Sequence, residues 1–250
     1  MKYIIFDLEF NQDYPILKGS KINSTNKCPF EILQLGALKL DEKFQRVSTL
    51  NRLVKPDIYK SLNPFIKKMT GIREVQLINA KPFKEVYQEF IEFIKDDSSV
   101  LCVWGITDIK ELFRNMEYHG ISTSSLPKKY INIQSYASKY LSCKKNVSIG
   151  LCNAVELLNI SRSMPFHDAF NDAFYTAEIL KRIYNEQMLP QLYIAKKLDL
   201  ISVAKTKKIT LDNINLLKQF EKMFQRKMTC EEKTIIKLAY IMGKTNQFKI

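Results

Sequence analysis

The chain has 250 residues, enough for one sizeable domain or a domain with a small appendage, and 46% of them are hydrophobic, which supplies a core and excludes wholesale disorder. No stretch approaches the roughly 18 uninterrupted apolar residues of a membrane span, and the acid at Asp7 comes too early for a signal-peptide core. The formal net charge of +13 favours a polyanionic partner, and the five scattered cysteines (Cys28, Cys102, Cys143, Cys152, Cys230) argue against a disulfide framework or thiolate zinc site, as expected of a protein in a reducing cytoplasm.

The first segment, KYIIFDLEF, alternates and is rich in β-branched and aromatic residues, so it reads as a strand. After a long polar loop, Gln12 to Pro29, EILQLGALKL and RVSTLNRLV complete an antiparallel meander. Pro82 opens an amphipathic helix with Phe83, Val86, Tyr87, Phe90, Ile91 and Ile94 on one face. SVLCVW is a buried strand, TDIKELFRNMEYHG a helix ending at Gly120, and KYINI a fifth short strand. Helices follow near Gln134–Leu141, Ser148–Leu158 and Ala169–Tyr184, and Pro190 marks a boundary. Beyond it lie two further amphipathic segments, the second opening with Thr229 and Glu232 in capping-box spacing. Three strands, then helices alternating with two more, imply an α/β domain with a mixed sheet, followed by a basic helical appendage. From Gln191 to Ile250 thirteen Lys/Arg stand against five Asp/Glu, so this part supplies +8 of the +13. A solvated Lys-rich face would read the same way.

Three places carry candidate chemistry. Asp7 and Glu9 share one face of the first strand with Tyr3, Ile5 and Asn11, while the other face is wholly apolar. Two carboxylates that close, on a strand expected to be central, repel and are costly to desolvate unless a cation neutralises them. Acids pointing to water from an edge strand are the plain alternative. Asp108 falls in the first helical turn after an apolar strand that ends at Trp104 and Gly105, where open α/β sheets put their ligands, although an acid there also suits the helix dipole. The stretch PFHDAFNDAF puts His167 at a loop-to-helix junction, with Asp168 and Asp172 as rival acidic partners. Carboxylates from three strand-associated segments plus one histidine can form a site for two divalent cations, with a neutral imidazole to take a proton from water.

This arrangement resembles the DEDDh family of 3′–5′ exonucleases, which have a ribonuclease H-like fold. FDLEFN is similar to the family's D-x-E motif, Asp108 after WGIT to its second-motif aspartate, and His167 with Asp172 to its H-x-x-x-x-D motif, a spacing that selects Asp172 over Asp168. Softer likeness extends over roughly residues 1–185 and includes FEILQLGALKL, MTGI at Met69–Ile72, KYINIQSYA and VSIGLCNAVELLNI. The likeness is strongest to the branch that trims RNA 3′ ends, the histone-mRNA and Eri-type enzymes and their bacterial relatives. Departures are Met69 before Thr-Gly-Ile, Gln34 where many members carry an acid, and the long Gln12–Pro29 loop.

The resemblance implies a mixed five-stranded sheet flanked by helices, an exonuclease domain over residues 1–187, and a helical extension over 191–250 with no counterpart in the family. It implies two Mg2+ or Mn2+ ions held by Asp7, Glu9, Asp108 and Asp172, with His167 as general base. The expected partner is single-stranded RNA, shortened to nucleoside 5′-monophosphates, with DNA as the alternative and a non-catalytic binding protein as a third reading. Phe10, Asn11, Met69 and Trp104 are candidates to contact the terminal bases because they lie close to the motifs. The basic extension is a candidate track for phosphates.

Overall fold

The computed structural model describes residues 1–14, 28–95, 99–144, 147–194 and 213–229, together with 232, 233, 235 and 236. Strand β1 (Lys2–Asn11) runs antiparallel to β2 (Glu31–Leu40), which runs antiparallel to β3 (Arg46–Lys55). Two short helices follow, α1 (Pro64–Thr70) and α2 (Glu74–Ile78), then β4 (Lys81–Pro82) and α3 (Phe83–Ile94). The chain continues through β5 (Ser99–Val103), α4 (Thr107–Tyr118), β6 (Lys129–Asn132), α5 (Ile133–Tyr140), α6 (Leu151–Leu157), α7 (Ala169–Ile183) and β7 (Gln191–Leu192) to α8 (Asn213–Phe224).

The strand order is β4-β3-β2-β1-β5-β6-β7, with β5 and β6 parallel to β1. All five strands expected from the sequence are present, and the two-residue β4 and β7 bring the sheet to seven strands. Strands this short leave no periodicity to read. Lys81 and Pro82 are extended and pair with Val54 and Lys55, so Pro82 caps α3 rather than occupying its first turn. Gln191 and Leu192 pair with β6, so the sheet continues just past Pro190. By contacts the chain forms two compact units, Met1–Ala195 and Lys196–Ile250.

Both faces of the sheet are covered, and β1's alternation feeds both. Ile4, Phe6 and Leu8 pack in a cluster with Phe83, Val86, Phe90, Ile109 and Leu112 from α3 and α4. Tyr3 and Ile5 pack in a second cluster with Ala137, Ala154, Ala173, Ile179 and Leu180 from α5, α6 and α7. The antiparallel register slips between Glu9 and Phe10, leaving Leu33 as the extra residue of β2. A bulge bends its strand, and here Leu33 joins Leu62, Ile66, Ile72 and Leu77 in a small third core under α1 and α2.

In the second unit, α8 lies inside the segment expected to be helical. The capping box is formed, with the Glu232 amide donating to Thr229 Oγ1 at 3.2 Å and the Thr229 amide donating to Glu232 Oε2 at 2.9 Å. Most of the helix expected after it, and most of the long loop after Gln12, lies outside the described residues.

The sheet and α7 approach each other closely at Gly36 on β2, opposite Asp7. A Cβ there would lie 2.2 Å from the Phe170 amide nitrogen and 2.3 Å from the Ala169 carbonyl carbon. The contact is backbone against backbone, so no rotamer change relieves it. Gly36→Ala is therefore expected to lower stability by at least about 1–3 kcal/mol and to displace the start of α7. Urea unfolding of the variant checks this.

Candidate active site

The site is built where three elements meet on the α7 face of the sheet. Asp7 and Glu9 face Gly36 and Gln34 across the β1–β2 ladder. β5 runs parallel beside β1, with Ile5 level with Cys102, and Gly105 at φ 91° turns the chain so that Asp108 falls in the first turn of α4. α7 arrives over Gly36 with Asp172 in its own first turn.

The start of α7 is held from two sides. Asp168 is the N-cap and accepts from the amides of Phe170 and Asn171 at 3.0 and 3.1 Å. Gln34 then clamps this cap to the sheet, donating through Nε2 to Asp168 Oδ2 at 2.8 Å and accepting from the Ala169 amide at 3.2 Å. The same Nε2 donates to Asn51 Oδ1 at 3.0 Å, tying β3 into the arrangement. Asp168 thus has a capping role, and Asp172 is the acid of α7 that reaches the site.

Glu9, His167 and Asp172 each offer a ligand atom within 4.8 Å of the others. His167 lies in the left-handed region at φ 64°, at a cost of roughly 1–2 kcal/mol for a residue with a Cβ. Its amide donates to Asp172 Oδ2 at 3.2 Å, and its ring is exposed.

The electrostatics of the four carboxyls are unfavourable throughout. Burial holds Asp7 well above the usual carboxylate range, and the charges of Asp108, Asp172, Glu9 and Asp168 add to it. Burial, then Asp172, Asp108 and Asp168, push Glu9 to about 8. Asp108 is raised to about 8 by burial and by Asp172, against the opposing pull of its own amide. Asp172 is raised to about 6, chiefly by burial, although the His167 amide stabilises its charge. Among the described residues, no Lys or Arg is among the groups acting on these four. Asp172 Oδ1 is buried without a hydrogen-bond partner. A buried, unpaired carboxylate oxygen among repelling acids is the environment that divalent cations with oxygen ligands neutralise, so the residues present fit such ions.

The residues expected near the terminal bases lie in different surroundings. Phe10 is half-buried, edge-on to Phe30 at 6.1 Å. Met69 is half-buried beside Leu53 on the third core, and Trp104 is half-buried with its Nε1 lacking a partner. Asn11 is fully buried, donating to the Ser61 carbonyl at 3.1 Å and accepting from the Asn63 amide at 3.0 Å. In this arrangement it anchors the segment leading into α1 and has no open surface. Sequence reasoning did not find Gly36 or Asn51, and it met Gln34 only as a departure from the family. A cavity of about 550 Å³ adjoins the cluster, lined by Gln34, Asn51, Thr70, Ile72, Asn79 and Asp168 among others.

A family model described as Exonuclease, of the RNase T group, matches residues 4–180, a span that contains Asp7, Glu9, Asp108, His167 and Asp172. The chain belongs to this exonuclease family, and its fold is ribonuclease H-like. Solved structures share that fold. A 3′-exonuclease recognising the 3′ end of a histone mRNA stem-loop has a TM-score of 0.64 at 19% identity, over 76% of this chain and 84% of that one. The nuclease domain of 3′hExo bound to rAMP has a TM-score of 0.64 at 18% identity, over 78% and 97%. The zinc-bound E. coli ExoI–ssDNA complex has a TM-score of 0.56 at 15% identity, over 74% and 41%. A search of curated proteins found no match.

The raised carboxyls make stability depend on pH. A folded-state value above the unfolded one means that the folded form holds its proton longer. The Glu9 contribution is therefore fully present below 4.5 and is lost as pH rises through about 8. Without divalent cations Tm should fall across that window, and Glu9→Gln should flatten the fall. Adding Mn2+ should raise Tm most at the alkaline end, as scanning fluorimetry can record.

Proposed function

We propose that this exonuclease removes nucleotides one at a time from the 3′ end of single-stranded RNA, releasing nucleoside 5′-monophosphates. The observation that carries the reading is the grouping of Glu9, His167 and Asp172, with its unpaired Oδ1, within 4.8 Å, while Asp108 is close enough to repel Glu9 and Asp7 is repelled by all three acids. Two divalent cations, Mg2+ or Mn2+, held by Asp7, Glu9, Asp108 and Asp172 would supply the positive charge that favours attack on a phosphodiester and departure of its leaving oxygen. His167 takes the proton of the attacking water. His167 is exposed to solvent, and its backbone is fixed to Asp172.

The preference for RNA rests on likeness to enzymes that recognise a histone mRNA end and bind rAMP. Trp104, Phe10 and Met69 are the candidates to meet the terminal nucleotides from their closeness to the motifs, and the cavity lined by Gln34 and Asp168 is the candidate seat for a further one. Its amide side chains, Asn51 and Asn79, suit the edges of a base. Asn11 acts from below by holding the segment before α1.

A 5′-labelled RNA oligonucleotide should shorten stepwise with Mg2+ or Mn2+ and stay intact in EDTA. Asp7→Asn and Asp172→Asn should abolish the ladder, and His167→Ala should slow it about 10²–10⁴-fold. Full activity in Asp7→Asn would overturn the mechanism. Faster loss of a matched DNA oligonucleotide would move the substrate from RNA to DNA.

The second unit, which carries most of the basic excess beyond Pro190, extends the contact with phosphates. Truncation after Ala195, which leaves β7 and the first unit whole, should weaken oligonucleotide binding and flatten its dependence on salt. An unchanged salt slope in filter binding would refute this role.

A further inference from the structure

His167 sits on the segment 164–167, which belongs to no helix or strand, and among the described residues no hydrogen bond holds its imidazole. The position of its ring is therefore set by the backbone of that segment, and three side chains of α7 grip this backbone in succession. Tyr175 is fully buried, and its hydroxyl bridges both backbone groups of Met164, accepting from the amide at 2.9 Å and donating to the carbonyl at 2.7 Å. Asn171 Nδ2 donates to the Pro165 carbonyl at 3.0 Å. Asp172 Oδ2 accepts from the His167 amide at 3.2 Å. Packing supports the middle of the segment, with the Phe166 ring 4.7 Å from the Tyr175 ring and tilted 30° to it, and the Arg162 guanidinium 5.9 Å from the Phe166 ring centroid.

We infer that Tyr175, seconded by Asn171, is a positioning residue for the exonuclease reaction: its hydroxyl fixes the Met164–His167 backbone and through it the catalytic histidine. Two features set this apart from ordinary core packing. An aromatic ring fills the same space without a hydroxyl, so filling the core does not require the oxygen. Both hydrogen bonds of that oxygen also go to one residue of the histidine's own loop, and none goes to the core. The segment holds His167 in the left-handed region, a conformation that persists only where neighbours over-determine it. The inference rests on the proposed role of His167 as the base.

The test is a double-mutant cycle in the full chain. Tyr175→Phe keeps the ring and removes the bridge, and Asn171→Ala removes the second grip at a half-buried position. Each is combined with His167→Ala, and kcat and KM are measured on a 5′-labelled oligonucleotide alongside the Mn2+-induced shift in Tm. Tyr175→Phe should lower kcat about 10²-fold, the scale of a misplacement of about 1 Å, with KM and the Mn2+ shift little changed. In the His167→Ala background the same change should cost less than roughly twofold, because the group it positions is gone. Asn171→Ala should follow the same pattern more weakly, and it alone decides the case if Tyr175→Phe does not fold. An equal loss in both backgrounds, or a wild-type kcat in the variants that fold, overturns the assignment. Wild-type protein that digests no oligonucleotide with Mg2+ or Mn2+ overturns the exonuclease reading itself, which is a different failure from the two before it.

Discussion

Seating the N-terminus of α7 directly on β2 is the constraint on which the site depends. β1 can present Asp7 and Glu9, and β5 can deliver Asp108, without any help from α7. The fourth carboxyl and the histidine arrive only because Gly36 has no Cβ and Gln34 offers one amide to two groups of the helix start. This explains why a glutamine serves at position 34. A carboxylate there could not donate to Asp168, and it would add a further charge beside a cluster that already repels. An amide brings a donor for the cap, an acceptor for the Ala169 amide, and no charge.

The two faces of β1 show how a folded chain tolerates such a cluster. One face is wholly apolar and packs against α3 and α4, so the strand is held in place by hydrophobic burial independent of the acids. On the other face, Tyr3 and Ile5 continue that burial up to the level at which Asp7 and Glu9 begin. The repulsion is confined to the end of the strand, where the bulge places Leu33 in the small core under α1 and α2. Packing below thus offsets strain above, and burial among like charges holds Glu9 and Asp108 well above the usual carboxylate range.

Much of this was legible in the sequence because period-two and helical patterns survive in long elements. The five main strands and the helices from α3 to α7 fall where alternation and amphipathic spacing put them. The family spacing picks Asp172 over Asp168 as the ligand, and in the structure the N-cap position commits Asp168 to backbone amides. What escaped was tertiary in origin. β4 and β7 are two residues each, α2 is five, and Leu33 bulges only because α1 and α2 need an apolar seat. Gly36 looks like any glycine in a strand until a helix passes over it. Asn11, polar and next to a motif, reads as a substrate contact in sequence, yet both ends of its amide are used by the chain segment Ser61–Asn63.

One helix start therefore serves three different tasks within eight residues. Asp168 caps it, Asp172 projects from its first turn into the cluster, and Asn171 and Tyr175 reach back to the loop in front of it. The grouping follows from helical geometry: residues 168, 172 and 175 are separated by four and three, so they lie on one side, facing the sheet and the returning loop. A histidine on such a loop gains mobility and solvent access that a histidine within the helix would lack, while its mean position is still set by the helix. In the proposed role of general base, that division suits a group that exchanges protons with water yet stays aligned with the carboxyls beside it.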